Sequence, residues 1–380
     1  MQLPPPLSLY VHFPWCVRKC PYCDFNSHEF KSTVPEKAYI DALLQDIEFN
    51  VDQVRDREVI SLFFGGGTPS LFSEQAIQKL LDEVKNRLNL SSDIEITLEA
   101  NPGTAEAGRF HGYGEAGVNR ISIGVQSFDD RQLKKLGRIH NAEEAVRAIQ
   151  MAKDGGIENI NIDLMFGLPG QTIEAAMQDL EIAVAQAPTH ISWYQLTIEP
   201  NTVFYKYPPS LPEDSLLWDM QQQGQALLAG HGYQQYEVSA YSQPEFQCRH
   251  NLNYWQFGDY LGIGAGAHSK ITDTSPFLVQ RCARHRLPQS YMDRAGTTAA
   301  VTQQKQLQRE DIILEFMMNA LRLNNGFDTS LFAQHAGLAL DDVKGQLDKA
   351  SEEGWIELTM NKIKPTKQGM QFLNNLLEIF

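Results

Sequence analysis

At 380 residues and 42% hydrophobic content, the chain can bury one large α/β core and a smaller one beside it. A formal charge of -15 would repel nucleic acid and anionic lipid, so the expected partner is a small molecule or a protein, not nucleic acid. Five cysteines, three of them within eight residues, exclude a secreted disulfide framework and point to the reducing cytoplasm. Neither a signal peptide nor a transmembrane segment is expected, because no basic-then-apolar leader and no run of about eighteen apolar residues occurs.

In chain order, strands are predicted over residues 7–13, 59–64, 94–99, 120–126, 159–165 and 190–198. Helical spacing lies between them, as in Ile40, Leu43, Leu44, Ile47 and in Ile77, Leu80, Leu81, Val84. Thr33 and Glu36 read as a capping box for the first of these helices, and Ser73 as the N-cap of the second. Six strand–helix units in succession predict a parallel sheet with right-handed crossovers.

The parity within the strands adds a second inference. Leu9, Val11 and Phe13 alternate with Ser8, Tyr10 and His12, and Ile94, Ile96 and Leu98 with Glu95, Thr97 and Glu99. Ile121, Ile123 and Val125 alternate with Ser122, Gly124 and Gln126, and Ile160, Ile162 and Leu164 with Asn161 and Asp163. The apolar parity must pack on helices, so the polar parity faces inward. Closed eight-stranded barrels fill that inner face with branched apolar side chains. A polar lining therefore predicts an open, partial (β/α)6 TIM-like barrel over residues 1–235 with a ligand in its lumen; a sheet with one solvated face is the competing arrangement. Residues 236–304 have weak periodicity and read as an irregular extension packed on the barrel. Residues 305–380 read as a compact winged-helix-like module: a helix carrying Ile312, Ile313, Phe316, Met317 and Leu321, a hairpin turning at Asn361 and Lys362, and a helix from Thr366 onward.

The chemistry concentrates at one end of the predicted barrel. Cys16, Cys20 and Cys23 follow the first strand in Cys-x-x-x-Cys-x-x-Cys spacing. Three thiolates hold three irons of a cubane and leave the fourth open to an exogenous ligand. The competing reading is zinc, with His12 or His28 as a fourth ligand. Gly65-Gly66-Gly67-Thr68-Pro69 ends the second strand, where missing side chains allow close approach to the backbone.

Tyr10-x-His12-x-Pro14-x-Cys16, the cysteine triad, Gly65 to Pro69, Glu99-Ala100-Asn101-Pro102, Ser122-x-Gly124-x-Gln126-Ser127 and Asp163-Leu164-Met165-x-Gly167-Leu168-Pro169 occur together. This set resembles the HemN-like branch of the radical S-adenosylmethionine (SAM) proteins, which contains oxygen-independent coproporphyrinogen III oxidases and haem chaperones, and the resemblance extends to a HemN_C-like C-terminal module. It implies a 4Fe-4S cluster on Cys16, Cys20 and Cys23 with SAM on its open iron. It further implies cofactor contacts at Tyr10, Gly66, Gly67, Thr68, Glu99, Gln126, Arg138, Asp163, Leu196 and His268. Arg138 is suited to a bidentate carboxylate clamp, and no catalytic residue is assigned.

Two features favour the chaperone side of that branch. Position 25 is Phe25, where the oxidases resemble Cys-x-x-x-Cys-x-x-Cys-x-Cys, and His250-Asn251-Leu252-Asn253-Tyr254-Trp255 resembles the HNxxYW signature of the HemW chaperones. The resemblance implies haem as cargo, delivered to acceptor proteins, with His250, Tyr254 and Trp255 as the haem-binding set. Imidazole is a suitable axial ligand and the rings are suited to pack on the macrocycle. Cys248 is a second candidate ligand, and Cys20-Pro21 resembles a haem-regulatory dipeptide. Peripheral membrane association and a homodimer are left open. The competing functions are a coproporphyrinogen III oxidase or other tetrapyrrole-acting radical SAM enzyme, and an interaction protein with a purely structural cluster.

Overall fold

The computed structural model describes residues 3–30, 33–103 and 108–380. Its first half is a run of parallel strands: β1 (Leu7–Phe13), β2 (Glu58–Gly66), β3 (Asn89–Ala100), β4 (Arg120–Gln126), β5 (Asn159–Phe166) and β6 (His190–Gln195). They pair in chain order, as right-handed crossovers through helices require. The crossovers include α1 (Glu36–Asn50), α2 (Glu74–Arg87), α3 (Ala142–Asp154) and α4 (Ile173–Ala185). Apolar parity decides the core: Leu9, Val11, Ile123 and Ile162 pack outward on Ile40, Leu43, Leu80, Ile149 and Leu180, all buried. The polar parity lines the opposite, concave side.

Helix starts follow local hydrogen bonding with one correction. Ser73 caps α2 by accepting from Ala76 N at 3.2 Å, as expected. The Thr33–Glu36 box does not form: α1 begins after Pro35 with no side-chain cap. Glu36 is drawn instead to the start of α2, where its carboxylate accepts from the Ser73 backbone N–H and, at 2.7 Å, from the Ser73 hydroxyl. A contact between helices displaces the local one.

Residues 236–304, expected to be irregular, mostly continue the sheet. After α5 (Asp214–Gly230), β7 (Gln234–Glu237) and β8 (Ala240–Ser242) add antiparallel strands beyond β6. A short helix, α6 (Arg249–Trp255), then crosses back, and β9 (Asp259–Ile263) pairs parallel with β1 from Leu7↔Asp259 to Val11↔Ile263. Strands β10 (His268–Thr274), β11 (Phe277–Arg284) and β12 (Val301–Gln306) follow antiparallel. The result is an open twelve-stranded sheet in the order β12-β11-β10-β9-β1-β2-β3-β4-β5-β6-β8-β7, a partial barrel with a tail. These strands escaped pattern reading because β9 is buried along its whole length, so its side chains do not alternate between core and solvent.

The C-terminal module has its own core of Phe316, Phe327, Phe332, Ile356 and Ile363. Helix α7 (Arg309–Ala320) leads into a three-stranded sheet of β13 (Phe327–Asp328), β14 (Ile356–Leu358) and β15 (Lys362–Pro365). The turn falls at residues 359–361, one position earlier than expected, and Thr366 caps a terminal helical stretch that breaks between Gln371 and Leu373. Among the described residues no helix is long and apolar enough to cross a membrane.

One buried carboxylate ties the added strands to the barrel. Asp259 accepts from Arg57 Nη1, Lys270 Nζ, the Thr272 backbone N–H and the Thr272 hydroxyl, each at 2.8 Å. Burial alone would raise its pKa, but the Lys270 and Arg57 charges hold it below the ordinary carboxylate value. Asp259→Ala leaves Lys270 buried without its counter-charge and is expected to cost about 3–5 kcal/mol, read as a lowered urea midpoint. A midpoint within error of the parent protein would refute that assignment.

Candidate functional site

The three cysteines sit in a loop that leaves β1 at its C-terminal end, where ligands of parallel α/β sheets bind. Trp15–Cys16 pairs in parallel with His28–Glu29, closing the loop on itself. Lys19 Nζ donates to Phe25 O at 2.9 Å, and Asn26 Nδ2 donates to Ala265 O at 2.8 Å and to Arg286 O at 2.9 Å. His12 meets Asn26 O through Nε2 at 2.8 Å and the Tyr10 hydroxyl through Nδ1 at 3.0 Å. With both nitrogens engaged, His12 is not presented as a zinc ligand. His28 Nε2 is turned to Arg286 O at 3.2 Å.

Polar groups bridge two of the thiols. Thr68 Oγ1 donates to Cys16 Sγ at 3.4 Å and accepts from Asn101 Nδ2 at 2.9 Å. Arg138 Nη2 donates to Asn101 Oδ1 at 2.7 Å and to Gly124 O at 2.6 Å, while Nη1 reaches Cys20 Sγ at 3.6 Å. A continuous path thus runs Cys16–Thr68–Asn101–Arg138–Cys20. Burial raises the Cys16 thiol to about 11, opposed by the Thr68 hydroxyl and reinforced by the other two cysteines. Burial likewise raises Cys23. Deprotonating these thiols at neutral pH is therefore unfavourable unless cationic charge is brought beside them. Arg138 has two nitrogens committed within the protein, so it positions Cys20 and Asn101 and does not offer the free bidentate fork expected of it.

Below the loop lies a cavity of about 1090 Å3, at the upper end of small-molecule sites. Its wall includes Tyr10, Gly66, Glu99, Asp163 and His268, all expected at the cofactor. Glu99 accepts from Gly66 N at 3.1 Å. Burial, then the neighbouring Asp163 charge, raises its pKa to about 8. Asp163 accepts from Ser122 Oγ at 2.9 Å and from Asn161 Nδ2 at 2.7 Å, and burial raises its pKa too.

His250, Tyr254 and Trp255 line this same cavity. Glu95, on β3, explains how: its Oε1 accepts from Arg249 N at 2.9 Å and His250 N at 3.3 Å, so a carboxylate caps the N-terminus of α6. The His250 ring stacks on Phe63 with centroids 4.8 Å apart, and Nδ1 meets Ser61 Oγ at 3.3 Å. Burial and the Arg120 charge lower its pKa to about 3, keeping the imidazole neutral. Nε2 has no hydrogen-bond partner among the described residues. Trp255 stacks against the Arg322 guanidinium at 4.3 Å, so part of its ring already serves contact with the C-terminal module.

The geometry can be set beside known proteins. Residues 10–183 match the Radical SAM superfamily model and residues 307–372 match the HemN C-terminal domain. Heme chaperone HemW of Haemophilus influenzae is 50% identical over 380 residues, covering 99% of this chain and 98% of that protein. The chain belongs to the HemW heme chaperone family. Escherichia coli HemW is 50% identical over 376 residues, with 99% and 98% covered. Mouse radical S-adenosyl methionine domain-containing protein 1, mitochondrial, is 34% identical, with 97% and 86% covered. The E. coli coproporphyrinogen III oxidase HemN structure, described as a radical SAM enzyme, superposes with a TM-score of 0.83 at 24% identity, covering 99% of this chain and 90% of that one, and shares the fold.

For this HemW-family chain, several expected residues fall outside the cavity wall. Gln126 lies in a kink at φ 71° and accepts from Tyr194 OH at 2.8 Å. Leu196 is buried in a small apolar cluster with Leu136, Met165, Leu168 and Phe204, against which Tyr22 of the cysteine loop packs. Cys248 is fully buried, directed at Glu95 Oε1 at 3.5 Å and raised by burial to about 12, so it is no haem ligand in this arrangement. Asn101 and Arg120 were not selected from sequence, although Asn101 stands in the quoted Glu99–Pro102 motif. Gly67 is constrained by the loop itself: an added Cβ would meet Trp15 O at 2.6 Å and Phe13 O at 2.9 Å. Gly67→Ala is therefore expected to cost about 1–3 kcal/mol and to raise proteolytic cutting in residues 14–30, measured by thermal melting and limited digestion; an unchanged melt would remove this constraint.

Proposed function

We propose that this chain holds haem in the cavity through His250, Tyr254 and Trp255, and passes it to acceptor proteins in the cytoplasm. Cys16, Cys20 and Cys23 carry a 4Fe-4S cluster in this reading, with SAM beside it along Gly66–Thr68, Glu99 and Asp163. The observation that carries it is the shared cavity: α6 brings a neutral imidazole with an unpartnered Nε2 to face the polar lumen below the cysteine loop. The cluster residues fit their group, since Cys16 and Cys20 each have a polar hydrogen directed at sulfur, an arrangement that tunes thiolate-bound clusters. The bound cluster supplies an open iron for SAM and a redox centre. The protein's own groups orient the loop, exclude water and hold the lumen carboxyls.

The test uses full-length protein reconstituted anaerobically with iron, sulfide and haem. Replacing any of Cys16, Cys20 or Cys23 by Ala should remove the cluster absorbance at roughly 400 nm. His250→Ala should weaken or shift the Soret band while the cluster absorbance stays. Haem uptake unchanged in both His250→Ala and a Tyr254→Ala, Trp255→Ala double variant would overturn the haem assignment.

Glu99 gives a pH signature. Its raised pKa of about 8 leaves the free protein's carboxyl protonated at neutral pH, whereas the sulfonium and ammonium charges of SAM beside it favour the carboxylate. SAM binding must then release a proton below that pH, so affinity is expected to rise roughly tenfold per pH unit up to about 8 and level off above it. Calorimetry in buffers of different ionisation enthalpy reads the proton directly, and Glu99→Gln should abolish its release. A pH-independent affinity in the parent protein would count against Glu99 as a SAM contact.

A further inference from the structure

Arg120, at the start of β4, is 2% exposed and lines the cavity. Its guanidinium makes no hydrogen bond to any described residue; Nε is buried without a partner, and Glu95 Oε2 lies 4.0 Å from it. Glu95 itself is committed elsewhere, its other oxygen accepting from Arg249 N, His250 N and the Cys248 thiol. Its other neighbours are Asp163, Cys248 and Tyr236, none hydrogen-bonded to it, and burial keeps the Cys248 thiol and the Tyr236 phenol uncharged. A buried cation with five donors and no acceptor is costly unless a ligand or water supplies one. Arg284, the one other arginine as deeply buried among the described residues, is paired: it donates to both oxygens of Asp46 at 3.1 Å.

We propose that Arg120 receives a carboxylate of the cargo, a propionate on the edge of the tetrapyrrole, at the deep end of the cavity. This rests on the haem reading above and adds to it the part of the ligand that is read. Position favours the cargo over the methionine carboxylate of SAM. The cysteine loop leaves the C-terminal ends of the strands, while Arg120 begins its strand, six residues before Gln126, or about 20 Å of extended chain. Arg120 and His250 line the same cavity, so a ligand held at His250 has a route to the guanidinium. In the SAM-free protein the lumen acids do not forbid an incoming anion, since Glu99 and Asp163 are both shifted toward their neutral forms by burial. Planar, two-pronged donation to a carboxylate is what a guanidinium offers and an ammonium does not.

The experiment compares iron protoporphyrin IX with its dimethyl ester, in which both propionates are capped, by Soret titration of the full-length reconstituted protein. The parent protein should bind the free acid roughly ten- to a hundredfold more tightly than the ester. Arg120→Gln should lose that preference, binding both as weakly as the parent binds the ester, and Arg120→Lys should recover only part of it. Equal binding of acid and ester by the parent overturns the proposal, even if Arg120→Gln fails to fold. Preference retained in a folded Arg120→Gln also overturns it and leaves the guanidinium to water. If calorimetry without haem shows Arg120→Gln losing SAM affinity while the acid–ester preference stays, the carboxylate read is SAM's. Absence of any haem binding by the parent would instead overturn the haem reading itself.

Discussion

A parallel sheet must be covered on both faces, and in this chain only one face is apolar. Helices α1 to α4 satisfy the outer face through Leu9, Val11, Ile123, Ile162 and their partners. The inner face carries Glu95, Glu99, Arg120, Asn161, Asp163 and His190, all on neighbouring strands and nearly all withdrawn from bulk water. Burying that much polarity is tolerable only with internal hydrogen bonds or a ligand. The structure uses the first where it can, as in the Ser122–Asp163–Asn161–His190 set. Where it does not, at Arg120 and at His250 Nε2, donors and acceptors are left facing the cavity.

This constraint also explains the role of the returning segment. A partial barrel has an open edge beside β1, and β9 closes on that edge in parallel register, fixed by Asp259 between Arg57 and Lys270. The helix before it, α6, is placed across the lumen by Glu95. The residues from outside the six-strand unit thus become a wall of the site. The residues proposed for the cofactor and those proposed for the cargo line one chamber, so in that reading occupancy by one ligand is a steric and electrostatic concern for the other.

Much was legible from the sequence because its signals are local. The period-two alternation located the six strands to within a few residues, except β3, which begins at Asn89, and the same parity identified Glu99 and Asp163 as inward-facing. The cysteine spacing and the glycine run marked the ligand end, and family resemblance supplied the His250 to Trp255 segment. Local capping was less dependable: Ser73 behaved as its sequence suggests, while Glu36 did not, because a carboxylate near a second helix end has two donors to choose between.

What the sequence by itself determined is therefore the alternation, the cysteine triad and the order of the units, since each depends on neighbours within a few residues. Only the tertiary structure decided that residues 259–306 extend the sheet, that Arg138 is committed to Asn101 and Gly124, and that Leu196 packs away from the cavity. It also decided that His250 and Glu99 face one chamber. The physical reason is separation along the chain: Asn26 bonds to Ala265 and Arg286, Glu95 to Arg249, and Asp259 to Arg57, contacts no periodicity encodes. Whether a buried polar side chain is a structural tie or a free ligand depends on which distant partner reaches it first.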